Sequence, residues 1–282
     1  MKLWIIYSSS FDTIEDNPAK RMLKEAKAQQ INAELMYYQY FSIKEDNLYY
    51  NENLIVNYPK YVFIRAHELS LIEHFESKKV VVINSYFTIK SCRDKWITHS
   101  IVDTLNVPQI KTILLNNLTF NEITSKLGTP FILKYRHGSQ GNDIYLINNE
   151  DEFTSIIENI NNEDYIVQEF ITTSYGKDVR IYIVGDKVIG AALRQNNNGF
   201  MSNLAQGGLS YDYPLTEELI YNSLKIKDAL KGDIISVDYV FGEKELLFCE
   251  ANTNAGFASF NYLGYPMREL FISYIKSKMR GN

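Results

Sequence analysis

A mixed α/β (α+β) chain built from small modules is what the sequence predicts, and three observations carry that expectation. Over the first 87 residues, short β-branched and aromatic runs alternate with helical patterns, as a small parallel sheet requires. Further on, paired apolar runs flank turn residues, as at Gly185-Asp186, which marks antiparallel hairpins. From Gly232 to Phe260 the chain reads as two strands around Gly242-Glu243-Lys244, and three polar residues, Asp238, Glu250 and Asn252, interrupt an otherwise apolar hairpin.

Taken in order, residues 3–7 form a first strand. Asn17-Pro18 caps and opens a helix that runs to about residue 30, and residues 33–38 form a second strand. Residues 61–65 and 80–83 are further strands, with a helix at 69–75 between them. No glycine-rich phosphate turn follows the first strand, so a dinucleotide site is not expected there. A helix is expected over 93–105. The capping box Thr119-x-x-Glu122 opens another, which runs to about residue 127. The strand at 130–136 carries Lys134 in its apolar run, and the turn His137-Gly138-Ser139-Gln140-Gly141 follows it. Strands at 144–147, 165–171, 179–184 and 187–193, with helices at 151–160, 216–230 and 268–278, complete the chain. The expected division is 1–87, 88–166 and 167–282.

Composition narrows the function. The chain has 282 residues, enough for a sizeable buried core. The net charge of −5, with no long basic run, excludes a nucleic-acid-binding surface while allowing a local basic pocket. The N-terminal apolar run is too short to cross a membrane, so no membrane partner is expected. Cys92 and Cys249 stand far apart in no metal-ligand spacing, which fits a reducing, cytoplasmic compartment. Cys249 reads as a small core residue.

The chemistry sits in the polar interruptions. Glu250 and Asn252 share a strand face, and the hairpin brings Asp238 opposite Glu250. Two neighbouring carboxylates repel and are costly to desolvate, and a hard cation such as Mg²⁺ relieves both costs while leaving room for nucleotide phosphates. The alternative is a hairpin whose acids are solvated or paired with lysine or arginine. Lys134 within a buried strand calls for an anion, and the glycine-bearing turn after it offers backbone N–H groups to phosphates. An edge-strand lysine beside an ordinary hairpin is the alternative there. Gln168-Glu169-Phe170-Ile171 ends a strand with an acid among apolar residues, while Asp178 and Arg180 share a strand face.

In order, these pieces resemble the ATP-grasp superfamily, and within it the RimK-like carboxylate–amine ligases. The resemblance rests on Arg93-Asp94-Lys95, the strand to Lys134 with its Gly138–Gly141 turn, Val167-Gln-Glu-Phe-Ile171, Asp178-Val-Arg180, Arg194, Ser202-Asn203-Leu204 with Gly207-Gly208, Val237-Asp238 and Glu250-Ala-Asn252. It implies an ATP-grasp fold with an N-terminal pre-ATP-grasp module, a central lid and a C-terminal module carrying the metal site. It implies that Lys95 and Lys134 hold ATP phosphates and that Gly138, Ser139, Gln140 and Gly141 form the closing lid. Gln168, Glu169, Phe170 and Ile171 would contact adenine and Asp178 the ribose, with Arg180 in the same nucleotide set and Asn203 on the phosphate side. Asp238, Glu250 and Asn252 would bind Mg²⁺, for which Mn²⁺ substitutes, and Arg194, with Lys134, would serve the reacting centre.

The implied reaction joins a small-molecule, peptide or carrier-protein carboxylate to an amine such as an amino acid through an acyl phosphate, with ADP released. The family's frequent dimers and tetramers leave a homo-oligomer open. A kinase releasing a phosphorylated small molecule and a non-catalytic ATP-binding sensor are the rival readings. Met201 and Ala205-Gln206 stand where RimK-like relatives commonly carry basic residues, so glutamate-tail specificity is not carried over. Phe257 and Phe260 read either as an aromatic feature of the acceptor pocket or as core.

Overall fold

Why the first 87 residues form a parallel sheet is visible in their burial. The computed structural model describes residues 2–11, 16–138, 143–196, 199–202 and 208–281. Strands β1 (Lys2–Tyr7), β2 (Asn32–Tyr37), β6 (Tyr61–Ile64) and β7 (Val81–Ile83) pair in the order β2-β1-β6-β7, all parallel. Leu3 and Ile5 bury on one face and Trp4 and Ile6 on the other, as a sheet covered on both sides demands. Helix α1 (Pro18–Ala28) begins where the Asn17 side chain accepts a hydrogen bond from Lys20 N at 2.9 Å, and it buries Ala19, Met22 and Ala26. Helix α2 (Leu69–Ser77) covers the other face. Between β2 and β6 lies a small antiparallel sheet absent from the sequence reading: β3 (Phe41–Lys44), β4 (Asn47–Tyr50) and β5 (Asn53–Leu54).

The helix expected over 93–105 is α4 (Lys95–Asp103), and a helix absent from the sequence reading, α3 (Tyr86–Arg93), precedes it. Asp94 breaks them: its carboxylate caps α4 by accepting from Trp96 N at 3.0 Å and Ile97 N at 3.3 Å, which a residue inside a helix cannot do. The same carboxylate accepts from Arg136 at 2.5 Å.

A second sheet follows. Strands β8 (Thr112–Leu114), β9 (Phe131–Tyr135), β10 (Ile144–Ile147) and β11 (Tyr165–Glu169) pair antiparallel in the order β10-β9-β11-β8. Helices α5 (Phe120–Leu127), opened by the Thr119–Glu122 capping box, and α6 (Glu150–Ile157) close one face over Phe131, Leu133 and Val167. The expected boundary at 166/167 divides β11, and both halves of that strand pair with β9 and β8.

The third sheet is antiparallel, in the order β14-β13-β12-β15-β16: β12 (Lys177–Val184), β13 (Lys187–Gln195), β14 (Leu209–Asp212), β15 (Ile234–Phe241) and β16 (Leu246–Asn252). Helix α7 (Glu217–Ala229) covers the face formed by Val179, Ile181, Ile183, Val237 and Tyr239. After the short α8 (Ala258–Tyr262), helix α9 (Met267–Arg280) buries Phe271, Ile272 and Ile275 in a core shared with Leu3 and Tyr61 of the first sheet and Tyr182 and Ile234 of the third. No helix among the described residues is long and apolar enough to cross a membrane.

Two buried polar residues hold these parts in register. Asn84, just past β7, donates to Ile234 O at 2.7 Å and accepts from Asp233 N at 2.8 Å and Ile234 N at 2.9 Å. His99 of α4 places Nδ1 2.8 Å from Gln109 Oε1 and Nε2 2.9 Å from Gln168 Nε2 and 3.0 Å from Cys249 O. Burial lowers its pKa to about 4, so the ring is neutral.

Asn84→Ala strands three backbone partners and lowers the unfolding free energy by about 2–4 kcal/mol in urea titrations; a loss within experimental error refutes the bridging role. His99 carries an ordinary pKa of 6.5 in the unfolded chain and about 4 when folded. The unfolded state therefore takes up the proton first as pH falls, and the stability His99 confers is complete above pH 6.5 and lost toward pH 4. Between pH 7.5 and 4.5 the wild type should lose about 2–3 kcal/mol more than His99→Gln; parallel losses would show that another group titrates.

Candidate active site

Strand alternation places the polar interruptions on one face of the third sheet, with help from a bulge. Tyr239 pairs with Phe248, but Asp238 pairs with Glu250, leaving Cys249 as the extra residue. Simple alternation would put Phe248 and Glu250 on the same face. The bulge sends Phe248 and Ala251 into the core against α7 and turns Glu250 and Asn252 to the opposite face beside Asp238. The turn is four residues, 242–245, rather than three, and without the bulge Cys249 would oppose Asp238. Asp238 and Glu250 face each other as expected from the sequence, but because of the bulge and not because of the turn's length.

Charge pairing across the strands organises this face. Arg180 lies opposite Asp238 and donates to both carboxylate oxygens, Nε to Oδ1 at 2.7 Å and Nη2 to Oδ2 at 2.6 Å. Arg194 lies opposite Asp178 and grips it the same way at 2.6 and 2.5 Å, and its Nη2 also reaches Asp238 Oδ2 at 3.1 Å. Ser202 Oγ donates to Asp178 Oδ2 at 2.5 Å. Asp178 and Arg180, two apart on one strand, are therefore each paired across to a neighbouring strand. Burial alone would raise the Asp238 carboxyl, but the two guanidiniums hold its pKa below the usual range. Burial likewise opposes the charge on Arg194, and its two carboxylate partners more than offset that.

The second sheet closes over this face to form a cavity of about 550 Å³. On β9, Phe131 and Leu133 point into their own core, and the alternating Ile132 and Lys134 line the cavity. Lys134 Nζ meets no carboxylate among the described residues; it lies 3.9 Å from Cys249 Sγ. Ile132, Ile144, Phe170 and Val240 give the cavity an apolar part. Gln168 lines it from β11. Its amide nitrogen is held by His99 and by Thr112 Oγ1 at 2.9 Å, while its Oε1 is buried without a partner. Glu169 Oε1 is fixed by the Lys111 backbone N–H at 2.7 Å.

Of the site residues anticipated from sequence, the cavity brings together Lys134, Gln168, Glu169, Phe170, Ile171, Asp178, Arg180, Arg194, Asp238, Glu250 and Asn252. Lys95 does not line it. At the start of α4, its Nζ donates to Gly138 O at 2.5 Å and stands 3.5 Å from Glu250 Oε1 at the site's edge. Ser139, Gln140, Gly141 and Asn203, with Ala205 and Gln206, lie outside the described residues.

Cys249, expected in the core, lines the cavity instead, because the bulge removes it from the inward-facing set. Burial pushes its thiol up to about 11, so it stands as the neutral thiol. Phe260 is core, edge-on to Tyr182 at 4.9 Å. Sequence reading missed His99, which carries no motif, and the apolar Ile132 and Ile144, whose role depends on strand phase.

The donor set bears on the implied metal. Asp238 has three of its lone-pair positions taken by arginine, as the paired-acid alternative expected, and retains one. Glu250 receives no hydrogen bond among the described residues apart from its 3.5 Å approach to Lys95, and the buried Asn252 amide has Nδ2 without a partner. An all-oxygen set of two carboxylates and an amide, short of a full cage, fits Mg²⁺ shared with nucleotide phosphates.

Comparison with known proteins agrees. The family model described as "RimK-like ATP-grasp domain" matches residues 92–275. The chain is 28% identical to "Uncharacterized protein MG012" of Mycoplasma genitalium over 90% of this chain and 92% of that protein. It is 26% identical to a "Probable alpha-L-glutamate ligase" of Mannheimia succiniciproducens over 75% of this chain and 73% of that one. A RimK domain ATP-grasp protein of Sphaerobacter thermophilus superposes with TM-score 0.76 at 15% identity, covering 97% of this chain and 99% of that one. The ATP-grasp ligase PsnB, solved with a precursor variant, Mg and ADP, gives 0.73 at 14% over 98% of each chain. At such identities the superpositions establish the fold. A family match over most of the chain, an ATP-grasp fold and one cavity flanked by two sheets lead to a single conclusion: the chain belongs to the RimK-like ATP-grasp family, a family of ATP-dependent ligases that form carbon–nitrogen bonds.

Proposed function

We propose that this protein joins a carboxylate to an amine at the expense of ATP, through an acyl phosphate. The observation that carries the reading is the cavity in which Lys134 of the second sheet faces the Asp238–Glu250–Asn252 set of the third. The reading divides the chain into an N-terminal module (1–87), a lid (88–166) and a C-terminal module (167–282), with Glu169 riding on the lid's sheet.

The nucleotide's base occupies the apolar part of the cavity among Ile132, Ile144, Phe170 and Val240, where the unpartnered Gln168 Oε1 accepts from its amino group. The phosphates run toward Lys134, whose ammonium has no protein counter-ion among the described residues. Asp238, Glu250 and Asn252 would hold Mg²⁺, or Mn²⁺ in its place, and the ion would supply positive charge beside the transferring phosphoryl group.

The reaction needs positioning more than covalent help. The substrate carboxylate attacks the γ-phosphorus and ADP leaves. The amine then attacks the acyl carbon, phosphate departs, and an amide remains. Lys134 neutralises charge growing on the phosphoryl oxygens. Arg194, one of whose nitrogens already serves Asp178 and Asp238, presents its cation to the oxyanion of the second step. The lid sheet over the site keeps water from the acyl phosphate. Both cysteines are free thiols, in keeping with a cytoplasmic setting.

The clean test is Glu250→Gln, not a change at Asp238. Removing Asp238 would leave Arg180 and Arg194 buried with unbalanced charge and cost about 3–5 kcal/mol of stability, so lost activity would be ambiguous. Glu250→Gln should keep the melting temperature near that of the wild type and reduce kcat/KM for ADP release by about 100-fold or more. The assay supplies Mg–ATP with pooled carboxylic acids, amino acids and short peptides, and reads product mass as the two substrates less one water. ADP release with a phosphorylated product and no amine requirement would replace this reading with a kinase; ATP binding without turnover, by a nucleotide sensor.

A further inference from the structure

Beyond the nucleotide cavity, at the seam between the first and third sheets, stand two arginines with no acid of their own. Arg65 follows β6 directly, its backbone N–H donating to Ile6 O of β1 at 2.8 Å. Its Nη2 donates to Ala255 O at 3.0 Å, and its Nε is buried without a partner. Arg268, in the first turn of α9, also has a buried, unpartnered Nε. Both guanidiniums lie against the same Phe257 ring, 5.5 Å from its centroid. Neither forms an ion pair among the described residues. The exposed Asp16 feels the charge of Arg268, but its carboxylate is already bidentate on Arg21 at 2.8 and 2.6 Å.

Two like charges sharing one ring is an unfavourable arrangement, and a cation in the first turn of a helix also works against the helix dipole. The contrast with the neighbouring face is direct: there Arg180 and Arg194 are matched by Asp238 and Asp178. Among the described residues Arg65 and Arg268 carry two positive charges that no acid matches, and a bound anion would balance them.

Topology gives an independent reason to expect a ligand here. The chain leaves β1 outward to β2 and returns to β6 on the other side of β1, so the carboxyl ends of β1 and β6 flank the switch point of the parallel sheet. Ligands of such sheets bind in that crevice. Tyr7 ends β1 and Arg65 follows β6. Burial pushes the Tyr7 hydroxyl up, against the charges of Arg65 and Arg268 and a hydrogen bond with Arg65. The crevice also opens toward the reaction site. Ala255, whose carbonyl Arg65 holds, lines the nucleotide cavity, as does His67 two residues beyond Arg65.

We propose that Arg65 and Arg268, on the Phe257 ring, form a subsite for a carboxylate that does not react, so that the substrate is an acid with at least two carboxylates, one gripped here and one presented to ATP. This rests on the ligase reading for the fate of the second carboxylate, but the binding itself does not. The planar guanidinium forks suit bidentate capture of a carboxylate, and the ring supplies a flat apolar wall for the carbon chain behind it. The subsite supplies positive charge that Met201 and Gln206 do not.

The test is binding to the full chain with Mg–ADP present, followed by thermal shift and calorimetry. The probes are dicarboxylates from malonate to adipate, their diamides and inorganic phosphate. At least one dicarboxylate should raise the melting temperature while its diamide does not. Arg268→Gln and Arg65→Gln should each weaken that dicarboxylate by about 10–100-fold, with ADP affinity changed less than about twofold. Should Arg65→Gln fold poorly, because of its bond to Ala255, Arg268→Gln carries the test alone. Equal binding of acid and diamide, stabilisation by phosphate alone, or unaltered binding in the folded variants overturns the subsite. Dicarboxylate binding without any amide product upholds the subsite and removes the ligase reading; amide formation indifferent to a second carboxylate does the reverse.

Discussion

Charge balance on a buried sheet face is the constraint from which the rest of this molecule follows. Two arginines and two aspartates cannot be taken out of water singly, and each Arg–Asp pair is registered by strand pairing: Arg180 opposite Asp238, Arg194 opposite Asp178. With those four groups largely closed on one another, Asp238 keeps one lone-pair position, and among the described residues Glu250, Asn252 and, on the facing sheet, Lys134 keep more of their capacity for something else. A nearly neutral quartet beside an under-used acid, amide and lysine sets what chiefly builds the floor of the cavity beside what is freest to meet a charged ligand. The same bookkeeping, applied to the seam with the first sheet, singles out Arg65 and Arg268.

Much of this was legible in the chain. The capping residues Asn17, Thr119 and Thr216 opened helices where expected, since a cap depends on residues within one turn of itself. The strand phase that puts Lys134 against the core residues Phe131 and Leu133, yet on the other face, follows from alternation alone. What the sequence left open depends on contacts far apart in the chain. That a helix, Tyr86–Arg93, precedes the expected one was not read from the chain, and the capping geometry of Asp94 and the grip of Arg136 mark the break between the two. The aspartates' arginine partners were in view as neighbours on one strand, but their true partners lie across strands. His99 and Phe257 belong to no motif; their roles come from α4 lying on β16 and from α9 lying between two sheets.

The N-terminal module is joined to the rest by a shared core, not merely appended to it. Phe271, Ile272 and Ile275 of α9 belong at once to the cover of the first sheet and to that of the third, and Asn84 secures the backbone of β15 from the end of β7. Through these contacts the carboxyl ends of β1 and β6 are held against the segment that follows β16. The proposed carboxylate subsite therefore lies beside Ala255, which lines the cavity between the second and third sheets.

The bulge at Cys249 also separates two kinds of chain-length change. Residues added within 242–245 lengthen a surface turn and leave every pair from Phe241–Leu246 downward in place. A single residue added within Leu246–Phe248, with the bulge kept, moves Glu250 one place along β15, drives it into the apolar layer under α7 and brings Phe248 into the cavity. An engineer wishing to insert an epitope or a fluorophore near this site has a permissive position and a forbidden one within ten residues of each other on one hairpin.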